Sequence, residues 1–106
     1  MGAPIILDSL NYGRYHDGVR VEFDKKKSEK NAQERGLPFD LVTECDWETV
    51  KYLESRRVRD ETRFNAYVMR NGRLHHVVFT HRGDALRVIS FRKANKRERK
   101  KYEEIN

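Results

Sequence analysis

One cysteine, Cys45, and two prolines are all that the 106 residues hold of either type. A lone thiol excludes an internal disulfide and cannot build a thiolate metal cage, so a reducing compartment is the natural setting. Also missing is any run near the ~20 apolar residues that a membrane helix requires. The apolar stretch from Pro4 to Leu7 is too short for a signal-peptide core, and no positive segment precedes it. The expectation is a cytoplasmic protein with no targeting signal and no membrane contact. There is no glycine loop to cradle a phosphate and no nucleophile elbow. No histidine stands at ligand spacing from a carboxylate or thiolate, so neither a metal nor another cofactor is expected.

What the chain does have is charge. Charged residues make up 38% of it and hydrophobic ones 37%, enough for one modest core in a domain of this length. The net charge of +6 is unevenly spread. Leu86 to Lys101 carries eight basic residues against one acid, Glu98, while the remainder is close to neutral. Such a gradient attracts a phosphate polymer, or an acidic protein that imitates one.

Residues 1–18 show no period and contain Asn11, Gly13, Asp17 and Gly18, which reads as a loosely held extension before a single domain over 19–106. Val19, Val21 and Phe23 alternate with Arg20 and Glu22, the pattern of a half-buried strand. Asp24 stops it and caps a polar helix from Lys25 to Arg35 that ends at Gly36. Leu37-Pro38-Phe39 opens a second short helix running to about Cys45, with Phe39, Leu41, Val42 and Cys45 on its buried side. Glu48 to Arg57 reads as a weak edge strand. Phe64–Met69, Leu74–Thr80 and Ala85–Lys93 form an antiparallel meander, joined through Asn71-Gly72 and Arg82-Gly83-Asp84. A basic helix follows from Asn95, whose spacing to Glu98 is that of a capping box. The fold class is α+β, in the order β-α-α-β-β-β-β-α, with a three- to four-stranded antiparallel meander, two N-terminal helices and a basic C-terminal helix.

Both polar helices open with cations, Lys25 to Lys27 in one and Lys96 with Arg97 in the other, where the helix dipole disfavours them. Local rules broken together mark a site. Lys27, Lys96 and Arg97, with Arg82 at a turn and Lys93 in the basic run, are expected to bind RNA. Metal-free RNA cleavage needs a base for the 2′-hydroxyl, a cation over the phosphate and a donor for the leaving oxygen. Arginine suits the second role because its planar fork matches phosphate oxygens. Arg63 begins one meander strand and Arg92 ends another, so the pair is expected to converge at one rim of the sheet. Glu61 is the candidate base, or the carboxylate that fixes an arginine; a plain surface ion pair with Arg63 is the simpler alternative. Among the histidines, His75 and His76 point to opposite faces of a strand, with one tucked against the sheet. His81, beside Arg82 at a turn, is the candidate for proton transfer.

These residues resemble the BrnT toxins of bacterial toxin–antitoxin systems. The resemblance lies in Val21-Glu22-Phe23-Asp24 with Lys27, Asn31 and Gly36; in Glu61-Thr62-Arg63-Phe64; and in the run from Arg82-Gly83-Asp84 through Arg87-Val88-Ile89-Ser90-Phe91-Arg92-Lys93-Ala94 to Glu98 and Tyr102. The last stretch is the distinctive one. The chain departs from the family pattern at Glu34-Arg35-Gly36, at Pro38 and at His81, so the case for His81 rests on its chemistry alone. The resemblance implies a fold similar to that of RelE ribonucleases and an RNA endonuclease that inhibits translation. It further implies neutralisation by a BrnA antitoxin with a ribbon-helix-helix part, and contact with operator DNA only through the antitoxin complex. Glu61, Arg63, Arg92 and Lys27 match the family. The competing expectation is a non-catalytic module that docks on RNA or DNA through its basic face.

Overall fold

The computed structural model describes residues 20–105; the expected extension over 1–18 and the first strand residue, Val19, lie outside them. Strand β1 (Arg20–Phe23) leads into helix α1 (Lys25–Arg35). Asp24 closes the N-terminus of α1 by accepting from the backbone N–H groups of Lys26 and Lys27, and those two bonds, chiefly that from Lys27, hold its carboxyl below the usual range. Gly36 ends the helix at φ 70°, a left-handed position that glycine tolerates without strain. Of this polar helix only Ser28 is buried, as its composition demands.

The second N-terminal helix is a correction. Phe39–Glu44 is a 3₁₀ helix of six residues, with Pro38 before its first turn. Its bonds close over three residues, Leu41 N–H to Pro38 O and Cys45 N–H to Val42 O, because so short a segment cannot complete α-helical turns between fixed ends. It still buries Phe39, Val42 and the following Cys45.

Five strands follow: β2 (Asp46–Tyr52), β3 (Arg56–Val58), β4 (Glu61–Arg70), β5 (Arg73–Arg82) and β6 (Ala85–Lys93). The single edge strand expected over 48–57 is thus two strands, and β2 begins early enough to include buried Trp47. All six strands form one mixed sheet in the order β1-β6-β5-β4-β2, with β3 paired to β4 off that path. The β4-β5-β6 meander is antiparallel, and β2 extends it antiparallel to β4. Among the described strands only β1 runs parallel, alongside β6. Asn71 and Gly72 take φ 53° and 74°, the left-handed pair that a tight hairpin needs.

Pairing register divides the sheet into two faces, because opposed residues project to the same side. The core face carries Val21, Ala66, Val68, Val77, Phe79, Leu86, Val88 and Phe91, covered by Phe39 and Val42 from the 3₁₀ helix. The other face carries Asn65, Tyr67 and Met69 of β4 opposite Val78, His76 and Leu74 of β5, and then Ser90 and Arg92 of β6. Helix α2 (Lys96–Glu104) lies over one end of this second face. There Tyr102 and Ile105 pack on Tyr67, Leu74 and Ala94. The Tyr102 hydroxyl donates to Thr49 O at 2.6 Å, and Lys51 Nζ donates to Tyr102 O, which ties the helix to the edge strand.

Candidate nucleic-acid interface

Two clusters of cations stand on the second face, one near each end. The first gathers around the start of β4. Arg63 Nε donates to Glu61 Oε2 at 3.0 Å. The two side chains line an open cleft of ≈ 640 Å³ with Arg82 of β5 and with Arg59 and Asp60 from the β3–β4 turn. Arg59 holds φ 57° there, an uncommon conformation for a side chain of its size. A carboxylate beside a fixed guanidinium, with a second guanidinium across the cleft, offers a proton acceptor next to a grip for a phosphate.

The second cluster lies where β6 meets α2. Arg92 Nη1 and Nη2 donate to Glu98 Oε1 and Oε2, both at 2.8 Å. Glu98 also accepts from the Asn95 backbone N–H while Asn95 Oδ1 accepts from Glu98 N–H, so the capping box read from the sequence is closed. One carboxylate therefore caps the basic helix and orients the arginine. The Arg92 hydrogen bonds pull the Glu98 carboxyl down to about 2. Next in the row across the strands come His76, opposite Arg92, and Tyr67, opposite His76. Burial, aided by the Arg92 charge, keeps the His76 pKa below the ordinary imidazole value. Burial, aided by Glu98, lifts that of Tyr67. The cluster thus packs a half-buried imidazole and a buried phenol beside an arginine held by two hydrogen bonds.

The expected meeting of Arg63 and Arg92 at one rim is not what the topology gives. Strands β4 and β6 are both antiparallel to β5, hence parallel to each other. The start of one and the end of the other therefore lie at opposite ends of the sheet. The two arginines share a face, but Arg63 precedes Tyr67 by four residues. The offset amounts to about 13 Å along the strands and about 10 Å across them, from standard rise and spacing. Arg63 is brought together with Glu61 and Arg82; Arg92 is brought together with His76, Tyr67 and Glu98.

Other candidates are scattered. His81 projects to the core face, its ring 5.4 Å from that of Phe64 and 5.7 Å from that of Phe79, so the sheet separates it from Arg63 and Arg92. Lys93 follows Arg92 and so alternates to the side opposite it, while Lys96 and Arg97 are exposed on the first turn of α2. Lys27 borders a separate hollow between α1 and β6, beside Asn31 and Ser90. There Asn31 Nδ2 donates to Phe91 O at 2.8 Å, fixing α1 to the strand that carries Arg92. His75 is the histidine tucked into the core, stacked on Phe91 at 5.2 Å.

Sequence reasoning passed over Tyr67, His76, Arg59 and the second role of Glu98. Alternation along β4 carried a signal for Tyr67, two steps of the same period beyond Arg63. Nothing in the spacing of Arg92 and Glu98 announced their pairing, since it depends on the turn at Ala94-Asn95. Among the described residues no group of three or more His, Cys, Asp or Glu side chains is placed to hold a metal ion, and no helix is long and apolar enough to cross a membrane.

Fold and face together define a small α+β domain with arginines gathered on one sheet face, two of them, Arg63 and Arg92, set by the carboxylates of Glu61 and Glu98. The family model of BrnT, the ribonuclease toxin of type II toxin–antitoxin systems, matches residues 23–98. The chain belongs to that family. No curated protein and no solved structure matches it.

Proposed function

We propose that residues 19–106 form one toxin domain of RelE-like fold that acts in the cytoplasm as a metal-independent RNA endonuclease and so inhibits translation. The observation that carries this reading is the Glu61–Arg63 pair at 3.0 Å, opening on the cleft that Arg82 shares. The scissile phosphate sits between Arg63 and Arg82, whose fixed charges stabilise it as negative charge builds on its oxygens. Glu61 takes the proton of the neighbouring 2′-hydroxyl. That oxygen attacks the phosphorus, the bond to the 5′-oxygen breaks, and the leaving oxygen takes a proton from water in the open cleft. The products are a 2′,3′-cyclic phosphate and a 5′-hydroxyl end. Arg92, offset along the same face, holds a different phosphate of the strand, and Lys96 and Arg97 extend the track over α2. Arg92 thereby serves catalysis through substrate placement, and neither His81 nor Lys93 takes part in the step.

Support for a cationic mechanism comes from arginine itself, which stays charged and matches phosphate oxygens without a metal. Purified protein should degrade total RNA in excess chelator, while Arg63→Ala and Glu61→Gln should not. Intact RNA with the unaltered chain would remove the proposal. A BrnA-type ribbon-helix-helix antitoxin is the proposed inhibitor, with operator DNA bound only through the joint complex. Co-expression with it should abolish cleavage and yield a copurifying pair.

A second reading, a binding module without catalysis, is favoured by one observation: Arg63 and Arg92 are already paired with Glu61 and Glu98, as in structural ion pairs. Its signature is steeply salt-dependent RNA or DNA binding with no cleavage at any protein concentration.

A further inference from the structure

Among the described residues, the core face of the sheet is not covered to its end. Tyr52, at the end of edge strand β2, is 54% exposed, although the strand turns its side chain toward the same face as Ala66 and Phe79. With Leu53, Ser55, Phe64, Phe79 and His81 it lines a pocket of ≈ 320 Å³. Four of these six side chains are rings. Phe64 and Phe79 are stacked at 5.5 Å and 27°. His81 meets Phe64 edge-on at 5.4 Å, and Tyr52 lies 6.5 Å from Phe79 at 61°. Trp47 packs on Phe79 from the core at 5.8 Å. Tyr52 and His81 are exposed above half-buried Phe64 and buried Phe79, and exposed rings over an apolar floor are how proteins receive the flat face of a base.

The position of the pocket names its occupant. Arg63 and Phe64 are consecutive on β4, and His81 and Arg82 are consecutive on β5. Each strand therefore sends a guanidinium to the cleft on one face and a ring to the pocket on the other, at the same end of the sheet. A nucleic acid repeats the same two elements, an anion and a ring, once per nucleotide. The cleft and the pocket lie on opposite faces at this end, so a strand that rounds the end of the sheet brings a phosphate to one and a base to the other.

We infer that the Tyr52–Phe64–Phe79–His81 pocket is a base-stacking subsite, which takes a base of the RNA strand whose phosphate lies between Arg63 and Arg82. The inference rests on the RNA reading proposed above. Stacking on this pocket accepts any base, since every base has a π-face, and favours single-stranded over paired RNA. It also gives His81 a role: a flat side wall, rather than a proton carrier.

The test uses a fluorescein-labelled, uncleavable 2′-O-methyl oligoribonucleotide and the full chain. Tyr52→Ala should weaken binding by about tenfold, within the range for loss of one stacked base, with no change in the salt slope. Tyr52→Phe should bind like the unaltered chain, because it keeps the ring. Replacing one nucleotide at a time by an abasic residue should reveal a position at which Tyr52→Ala costs nothing further. Equal affinity of Tyr52→Ala and the unaltered chain, with Arg63→Ala still weakened, would overturn the subsite and leave the RNA reading standing. Unchanged RNA affinity of Tyr52→Ala with loss of copurification with the antitoxin would reassign the pocket to a protein anchor. Absence of RNA binding by the unaltered chain would remove both.

Discussion

Arg92 and Glu98 form a two-bond ion pair, Nη1 to Oε1 and Nη2 to Oε2, each 2.8 Å, across the turn that joins β6 to α2. The same carboxylate receives the Asn95 N–H, so the orientation of the arginine and the start of the basic helix depend on one side chain. Glu98→Gln keeps an acceptor for the cap but loses the charge. It should lower stability by about 1 kcal/mol, the scale for a partly exposed ion pair, and this is read as a fall in the urea midpoint at unchanged slope. It should also raise KM for RNA more than it lowers kcat, since a loosened Arg92 binds less well while the Glu61 cleft is untouched.

Acid should act on this protein in two stages. His75 and His76 are held below the ordinary value of 6.5, mainly by burial. A lowered folded-state pKa means that the unfolded chain binds more protons, so stability is full above pH 6.5 and declines as pH falls below it. Glu98 follows by the same sign: its contribution is full above its ordinary 4.5 and is lost as pH falls toward about 2. Urea midpoints measured from pH 8 to 2 should show both declines. Glu98→Gln should flatten the more acidic one without relieving the first, since the Glu98 charge favours protonated His76, and a curve identical to that of the unaltered chain would contradict the pairing.

Arg63 and Arg92, being offset along the face, should contact separate phosphates. Each alanine variant should then reduce the slope of log affinity against log salt by about 0.7 for single-stranded RNA, and the double variant by about twice that. Fluorescence anisotropy between low and moderate salt measures it. A double variant no shallower than either single one would mean that both arginines hold one phosphate.

Cys45 is buried behind the 3₁₀ helix, and burial pushes its thiol up to about 12. The native protein should resist iodoacetamide near neutral pH and react fully in denaturant. Labelling of the native chain at the unfolded rate would show that the 3₁₀ segment opens readily.

Phe91 is fully buried in the core, with the His75 ring against it. Phe91→Ala should cost about 3–5 kcal/mol, a large part of what a domain of this size has. A thermal melt should therefore show an unfolded or barely folded chain at physiological temperature.

Elements governed by neighbours in the chain are legible in the sequence alone. Asp24 and Gly36 mark the ends of α1, Asn71-Gly72 the hairpin, and Asn95 with Glu98 the start of α2, because capping and positive φ are decided within a few residues. The helix expected from Pro38 to Cys45 failed in detail for a reason outside that range: its ends are fixed by α1 on one side and β2 on the other, and six residues between them close only tighter turns. The break between β2 and β3 was equally hidden, since both strands are defined by what β4 offers them.

The sequence by itself determined the chemistry available: a basic C-terminal run, Glu61 beside Arg63, and an arginine late in β6. Tertiary structure decided which of these meet. Strand direction sent Arg63 and Arg92 to opposite ends of one face, alternation put His81 on the other face among aromatic rings, and the turn after Lys93 brought Glu98 back onto Arg92. Charge and capping are local properties written in adjacent residues, whereas the side and end of a sheet at which a residue emerges depend on pairings between strands far apart in the chain.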